Sequence, residues 1–87
     1  MKESTLEKKS VAIAKSHGWL SYKFTSPQNA GVPDRLFIRN GKTIFVEFKR
    51  LGESPRPLQA KVISDMRNHG AVVHVIDNLE DAKNAFE

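Results

Sequence analysis

The 87-residue sequence contains no cysteine. Disulfide frameworks and thiolate zinc sites are therefore excluded, and the composition suits a reducing compartment. No apolar run approaches the roughly 18 residues that a membrane span requires. The N-terminal stretch "MKESTLEKK" is charged and leads into no apolar run, so it does not read as a secretory leader. These absences predict a cytoplasmic protein without membrane association. The chain has no polybasic tail, low-complexity segment, internal repeat or interdomain linker. Its 3 histidines do not cluster. No Ser–His–Asp set and no glycine-rich phosphate loop appears. Histidine metal centres, serine-type nucleophilic catalysis and a nucleotide cofactor thus find no support.

What is present is an ordinary globular composition, 39% hydrophobic and 28% charged. The length suggests one domain spanning residues 1–87. A chain this short buries only about two thirds of its unfolded surface, so its core will be modest. The net charge of +4 and a pI near 9.6 favour anionic partners. The positive residues are dispersed, so a nucleic acid would have to be held by a folded surface.

The first segment predicts a helix, with Leu6, Ile13 and Ala14 on one face and Val11 at its edge. Ser4 followed by Glu7 matches an S-x-x-E capping box. Gly18, after His17, is the expected stop. "WLSYKF", Trp19 to Phe24, alternates as a strand does, and "TSPQNAGVP" reads as a loop. Two apolar runs follow, "RLFIR" and "KTIFVEFK", separated by Asn40-Gly41, a dipeptide suited to a type I′ hairpin turn. After "LGESPRP", a helix starts near Pro57, with Leu58, Val62, Ile63 and Met66 as its apolar stripe. "AVVHVI" predicts a buried strand, and Asp77 or Asn78 is placed to cap a final helix, "LEDAKNAF". The order is α-β-β-β-α-β-α. It predicts an α/β fold with a mixed four-stranded sheet, flanking helices and a right-handed crossover before the last strand.

The turn fixes a register. If Asn40 and Gly41 are its central residues, Arg39 pairs with Lys42 and Arg35 with Val46. Asp34 then lies opposite Glu47. Opposed residues share a sheet face, and Lys49, two beyond Glu47, points to that face as well. Two carboxylates and an ammonium meet at the open end of the hairpin. Adjacent anions repel unless a cation or a shared proton intervenes. Geometry alone leaves two readings. A divalent cation held by oxygen ligands, magnesium or manganese, could sit between them. Alternatively, Lys49 neutralises part of the charge in a surface ion-pair cluster. Both readings require an unbulged hairpin, because one inserted residue would turn Asp34 to the other face.

Pro33-Asp34 and Glu47-Phe48-Lys49 resemble the signature of the PD-(D/E)xK nuclease superfamily. "GVPDR", then "VEFKR", then a glutamine in the next helix, resembles the VRR-NUC family, the virus-type replication-repair nucleases. The resemblance covers nearly the whole chain. A domain this short is similar to stand-alone phage-encoded members, on the scale of Holliday-junction resolvases. The resemblance implies a restriction-endonuclease-like core. It implies that Asp34 and Glu47 bind a metal through carboxylate oxygens, with the backbone carbonyl of Phe48 as a further ligand. Lys49 would orient the attacking water or stabilise developing phosphorane charge. Gln59 would support the site near Lys49. Glu7 matches the acidic residue of the first helix, which approaches the metal directly or through water; as a capping residue it has a second explanation. Arg35 and Arg50 flank the motif and Arg56 and Lys61 follow it, all four being candidates for contacts to DNA phosphates or plain solvated charge. His74 reads as a packed or edge residue rather than a general base.

Together with the carboxylate geometry and the basic charge, the resemblance implies a Mg²⁺- or Mn²⁺-dependent endodeoxyribonuclease acting on branched DNA, such as a four-way junction. One copy covers little surface and holds one site, which predicts a two-fold homodimer. Its interface would use apolar residues around Trp19 or on the outer face of the hairpin. The alternative is a nucleic-acid-binding module that keeps the fold without cleaving.

Overall fold

The computed structural model describes residues 1–87. The elements are α1 (Glu3–Ser16), β1 (Leu20–Lys23), β2 (Arg35–Arg39), β3 (Lys42–Phe48), α2 (Pro57–Asn68), β4 (Val72–Ile76) and α3 (Leu79–Phe86). They follow the predicted order. The four strands form one sheet in the order β1-β2-β3-β4. The first three are antiparallel neighbours, and β4 runs parallel to β3. The parallel pair is possible because α2 carries the chain back across the sheet.

The hairpin turns where its chemistry directs. Asn40 and Gly41 both have positive φ, 50° and 79°, as a type I′ turn demands. The ladder runs unbroken from Arg39 opposite Lys42 to Arg35 opposite Val46. No bulge interrupts the alternation over these five pairs, and Asp34 lies just before the last of them, its Oδ2 accepting from the Phe48 N–H at 2.9 Å.

That alternation sorts the sheet's two faces. Phe37, Ile44, Val46 and Phe48 are fully buried and pack with Leu6, Ala14 and Phe86 of α1 and α3. Glu47 and Lys49 point the other way, toward α2, whose Ile63 is buried there. Helix α2 covers this second face only in part. Leu20 and Tyr22, on strand β1, remain more than half exposed beside Ile38 and Leu36.

Two expectations change. The Ser4–Glu7 capping box is not formed. Helix α1 begins at Glu3, with Lys2 at the N-cap and no side-chain cap bond. Glu7 instead accepts from Arg35 Nε at 2.6 Å and Lys23 Nζ at 2.9 Å, so charged partners from the sheet outcompete a neutral backbone N–H. Trp19, expected at the start of a strand and at a subunit interface, belongs to the core. Its Nε1 donates to the Phe86 carbonyl at 3.0 Å. Its ring meets Phe86 edge-on at 5.9 Å between centroids, and the Arg39 guanidinium covers it at 4.4 Å. An indole this large is the efficient way for a small domain to close the end of its core. It leaves no surface for a second subunit.

Candidate active site

The site is assembled by the hairpin's open end, the loop before it and the first turn of α2. Gly31 sets the loop. Its φ is +92°, and a Cβ there would lie 3.2 Å from atoms of Leu58 and Val62. Only glycine lets the loop press so closely onto α2. Pro33 is then buried, and Asp34 is fastened from both sides. Its backbone carbonyl accepts from the Phe24 N–H at 2.9 Å, and its Oδ2 accepts from the Phe48 N–H at 2.9 Å. Burial raises the Asp34 carboxyl above its usual range, against the opposing pull of the Phe48 N–H.

Glu47 is 2% exposed. Its Oε2 accepts from Gln59 Nε2 at 2.9 Å and lies 3.6 Å from Lys49 Nζ. Its Oε1 is buried with no hydrogen-bond partner. Burial first, and the neighbouring Asp34 charge second, push its pKa up to about 7. Lys49 lowers it and Glu3 adds a weaker upward push. Lys49 is itself nearly buried, and its backbone N–H is bound to the Ile76 carbonyl at 3.0 Å.

Gln59 occupies the first turn of α2 and works in two directions. Its Oε1 accepts from the Arg56 N–H at 3.0 Å, closing the helix start. Its Nε2 is thereby aimed at Glu47. Gln59 thus ties the helix start to a carboxylate of the hairpin.

Carboxylate oxygens of Glu3, Asp34 and Glu47 lie within 4.8 Å of one another. The structure brings Asp34, Glu47, Lys49 and Gln59 together as anticipated, and adds Glu3. Glu7 stands one helical turn away in its own cluster with Lys23, Arg35 and, through Arg35, Ser21. Burial alone would raise its carboxyl, but the hydrogen bonds and charges of Lys23 and Arg35 hold it below the usual range. The signal for Glu3 was its position four residues before Glu7, on the same helix face.

Of the four candidate phosphate contacts, Arg35 is committed to Glu7 and Ser21. Lys61 pairs with Asp65 at 3.0 Å on the surface of α2. Arg50 and Arg56 are exposed and form no ion pair. His74 is half-buried on the edge strand β4 opposite Val46, with its pKa lowered by burial. No helix is long and apolar enough to cross a membrane.

The donor set fits a hard divalent cation. Three carboxylates converge, all ligands are oxygens, and one oxygen of the most buried member lacks any partner. A lone ammonium 3.6 Å from a single oxygen does not balance three anions.

Comparison with known proteins agrees over the same length. No family model matches the chain. A protein of Acyrthosiphon pisum secondary endosymbiont phage 1, "Putative nuclease p44", is 42% identical over 81 residues, which is 92% of this chain and 87% of that protein. A solved VRR-NUC domain superposes with a TM-score of 0.88 at 26% identity, covering 94% of this chain and 90% of its own. With the relative, the fold and the assembled hairpin in accord from α1 to α3, the chain belongs to the VRR-NUC family.

Proposed function

We propose that the protein is a divalent-metal-dependent DNA endonuclease of the PD-(D/E)xK type that hydrolyses phosphodiester bonds. The observation that carries this reading is Glu47 Oε1, buried without a partner beside a second carboxylate and an ammonium. A structural ion pair has no use for an orphaned acceptor, which costs about 1–3 kcal/mol.

Asp34, Glu47 and the backbone carbonyl of Phe48 would hold Mg²⁺ or Mn²⁺. When bound, the ion supplies charge for the scissile phosphate and acidifies a water. The protein supplies placement. The Phe48 N–H fixes Asp34, and Gln59 fixes Glu47, so neither carboxylate has to be ordered during the reaction. The Lys49 ammonium projects on the same face and is placed to orient the attacking water or meet charge developing on the phosphate. Arg50 and Arg56, unpaired and exposed, bracket the loop after β3 and suit phosphates flanking the scissile one.

The preferred substrate in this reading is branched DNA, such as a four-way junction, cut by a homodimer. One copy presents one site, and symmetric cuts need two. With Trp19 in the core, the surface best suited to pairing is the open sheet face carrying Leu20 and Tyr22.

The test is cleavage of labelled junction, flap and duplex DNA in Mg²⁺ and in Mn²⁺. Wild type should cut and Asp34→Ala and Lys49→Ala should not. Equal cutting by all three proteins would trace the activity to a contaminant and end the assignment.

A further inference from the structure

We propose that Leu51 is a wedge that enters the DNA beside the scissile phosphate and parts the base step there, so that the enzyme favours DNA whose stacking is already broken. This rests on the nuclease reading above.

Leu51 is 75% exposed, the most of any large apolar side chain in the protein. Leu20 and Tyr22 at least lie on the sheet beside Ile38 and Leu36, and Leu58 abuts Gly31. Leu51 is neither in the core nor packed against it. It stands at the tip of a turn. The Glu53 N–H donates to the Arg50 carbonyl at 3.0 Å, and Gly52 has a φ of +81°. That is the pattern of a type II turn with Leu51 at its first central position. The turn is fastened on both sides to the end of β4. Before it, the Lys49 N–H donates to the Ile76 carbonyl at 3.0 Å. Within it, the Gly52 N–H donates to Asp77 Oδ2 at 2.9 Å. Leu51 is thereby fixed relative to Lys49, with at most about 7 Å between their Cα atoms. Nucleotides rise about 3.4 Å each along a strand. A side chain so close to Lys49 reaches the base step next to the phosphate that Lys49 meets. Arg50, between the two, is exposed and free of ion pairs. An arginine for the DNA backbone and a leucine for the bases thus adjoin.

Magnitudes decide what this wedge selects. Full burial of a leucine side chain is worth about 10- to 100-fold in an equilibrium constant. Unstacking an intact base step costs a similar factor or more. In a continuous duplex the two nearly cancel. Where the step is already open the cost falls away, and the apolar contact becomes a net gain.

The measurement is single-turnover cleavage in Mn²⁺ of two DNAs of one sequence, a continuous duplex and the same duplex opened by a mismatch. A purine analogue that brightens on unstacking, placed beside the mismatch, is read on the non-cleaving Asp34→Asn background. Leu51→Ser should melt as wild type does, because the side chain packs on nothing in the core. It should slow cutting of the opened duplex about 10- to 100-fold, change the continuous duplex little, and abolish the rise in emission. Leu51→Met should restore most of both signals, since methionine offers a similar apolar volume. Arg50→Gln should slow both DNAs alike, as loss of a phosphate contact does. If Leu51→Ser cuts the two DNAs in the wild-type ratio, if Arg50→Gln shifts that ratio as far, or if the emission rises equally without Leu51, the wedge is overturned and the nuclease stands. If wild type cuts neither DNA, the nuclease reading falls and the wedge with it.

Discussion

Glu47→Gln should stabilise the metal-free protein at alkaline pH while abolishing its activity. The Glu47 carboxyl has its pKa raised from 4.5 to about 7 in the fold. The folded protein therefore binds this proton more tightly than the unfolded chain does. The associated stability is complete below pH 4.5 and is lost as pH rises through about 7. At about 1.36 kcal/mol per pH unit, holding the group ionised costs about 3 kcal/mol well above that value. Glutamine removes the charge and can still accept from Gln59 Nε2 through its own carbonyl. It also leaves Lys49 without its partner at 3.6 Å in a nearly buried position, which returns about 1–2 kcal/mol of the gain. The net expectation is about 1–2 kcal/mol in favour of the variant. For a domain of this size that is a rise of about 5–10 °C in melting temperature. Calorimetric melts in EDTA at about pH 8 should show it, and the gap should close near about pH 4.5, where wild-type Glu47 is protonated too. Mn²⁺ should reverse the order at pH 8, because only wild type gains from it. A variant that melts below wild type at pH 8 in EDTA would show that the pairing with Lys49 outweighs burial, and would remove the argument that Glu47 is held ready for a cation.

The other predictions concern how the site is held. Gln59→Leu frees Glu47 Oε2 and the Arg56 N–H together, so turnover should fall about 10- to 100-fold with a stability loss of about 1 kcal/mol; unchanged single-turnover cleavage would show that Gln59 supports only the helix. Gly31→Ala forces a Cβ at positive φ to within 3.2 Å of Leu58 and Val62, and a urea titration should show about 1–3 kcal/mol of destabilisation. Tyr22→Asp places a charge on the open sheet face without touching the core, and sedimentation should show a wild-type dimer and a variant monomer. A wild type that sediments as a monomer at micromolar concentration would instead remove the dimer from the proposal.

Much of the site could be read in the sequence because it depends on two strong local rules. Asn40-Gly41 can hardly form anything but a two-residue turn between β-rich segments, and the period-2 alternation then carries the register inward for six pairs without further assumptions. Asp34 opposite Glu47, and Lys49 beside it, follow from those rules alone. Gln59 was visible through the family resemblance alone; Pro57 places it in the first turn of its helix but does not show that it reaches Glu47. Glu7 and Trp19 were misread for a shared reason. Each fits a local pattern, a capping box and a strand start, but each is decided by partners far along the chain. Arg35 lies 28 residues from Glu7, and Phe86 lies 67 residues from Trp19. Neither partner leaves a periodic trace near the residue it captures.

The same distinction explains where the protein keeps its chemistry. The hairpin's closed end is secured by turn geometry and needs no carboxylate to hold it. Its open end is secured by Asp34 accepting from Phe48, by Gln59 reaching from α2 and by Glu7 clamping α1. These contacts bring Asp34 and Glu47 into a mostly buried corner where neither anion favours the metal-free fold. Raised carboxyl groups at Asp34 and Glu47 are the measure of that conflict. A domain of 87 residues has little stability to set against it. Retaining such a corner makes physical sense if a cation relieves the repulsion, so the arrangement that weakens the empty protein is the one that prepares it to bind metal and meet a phosphate.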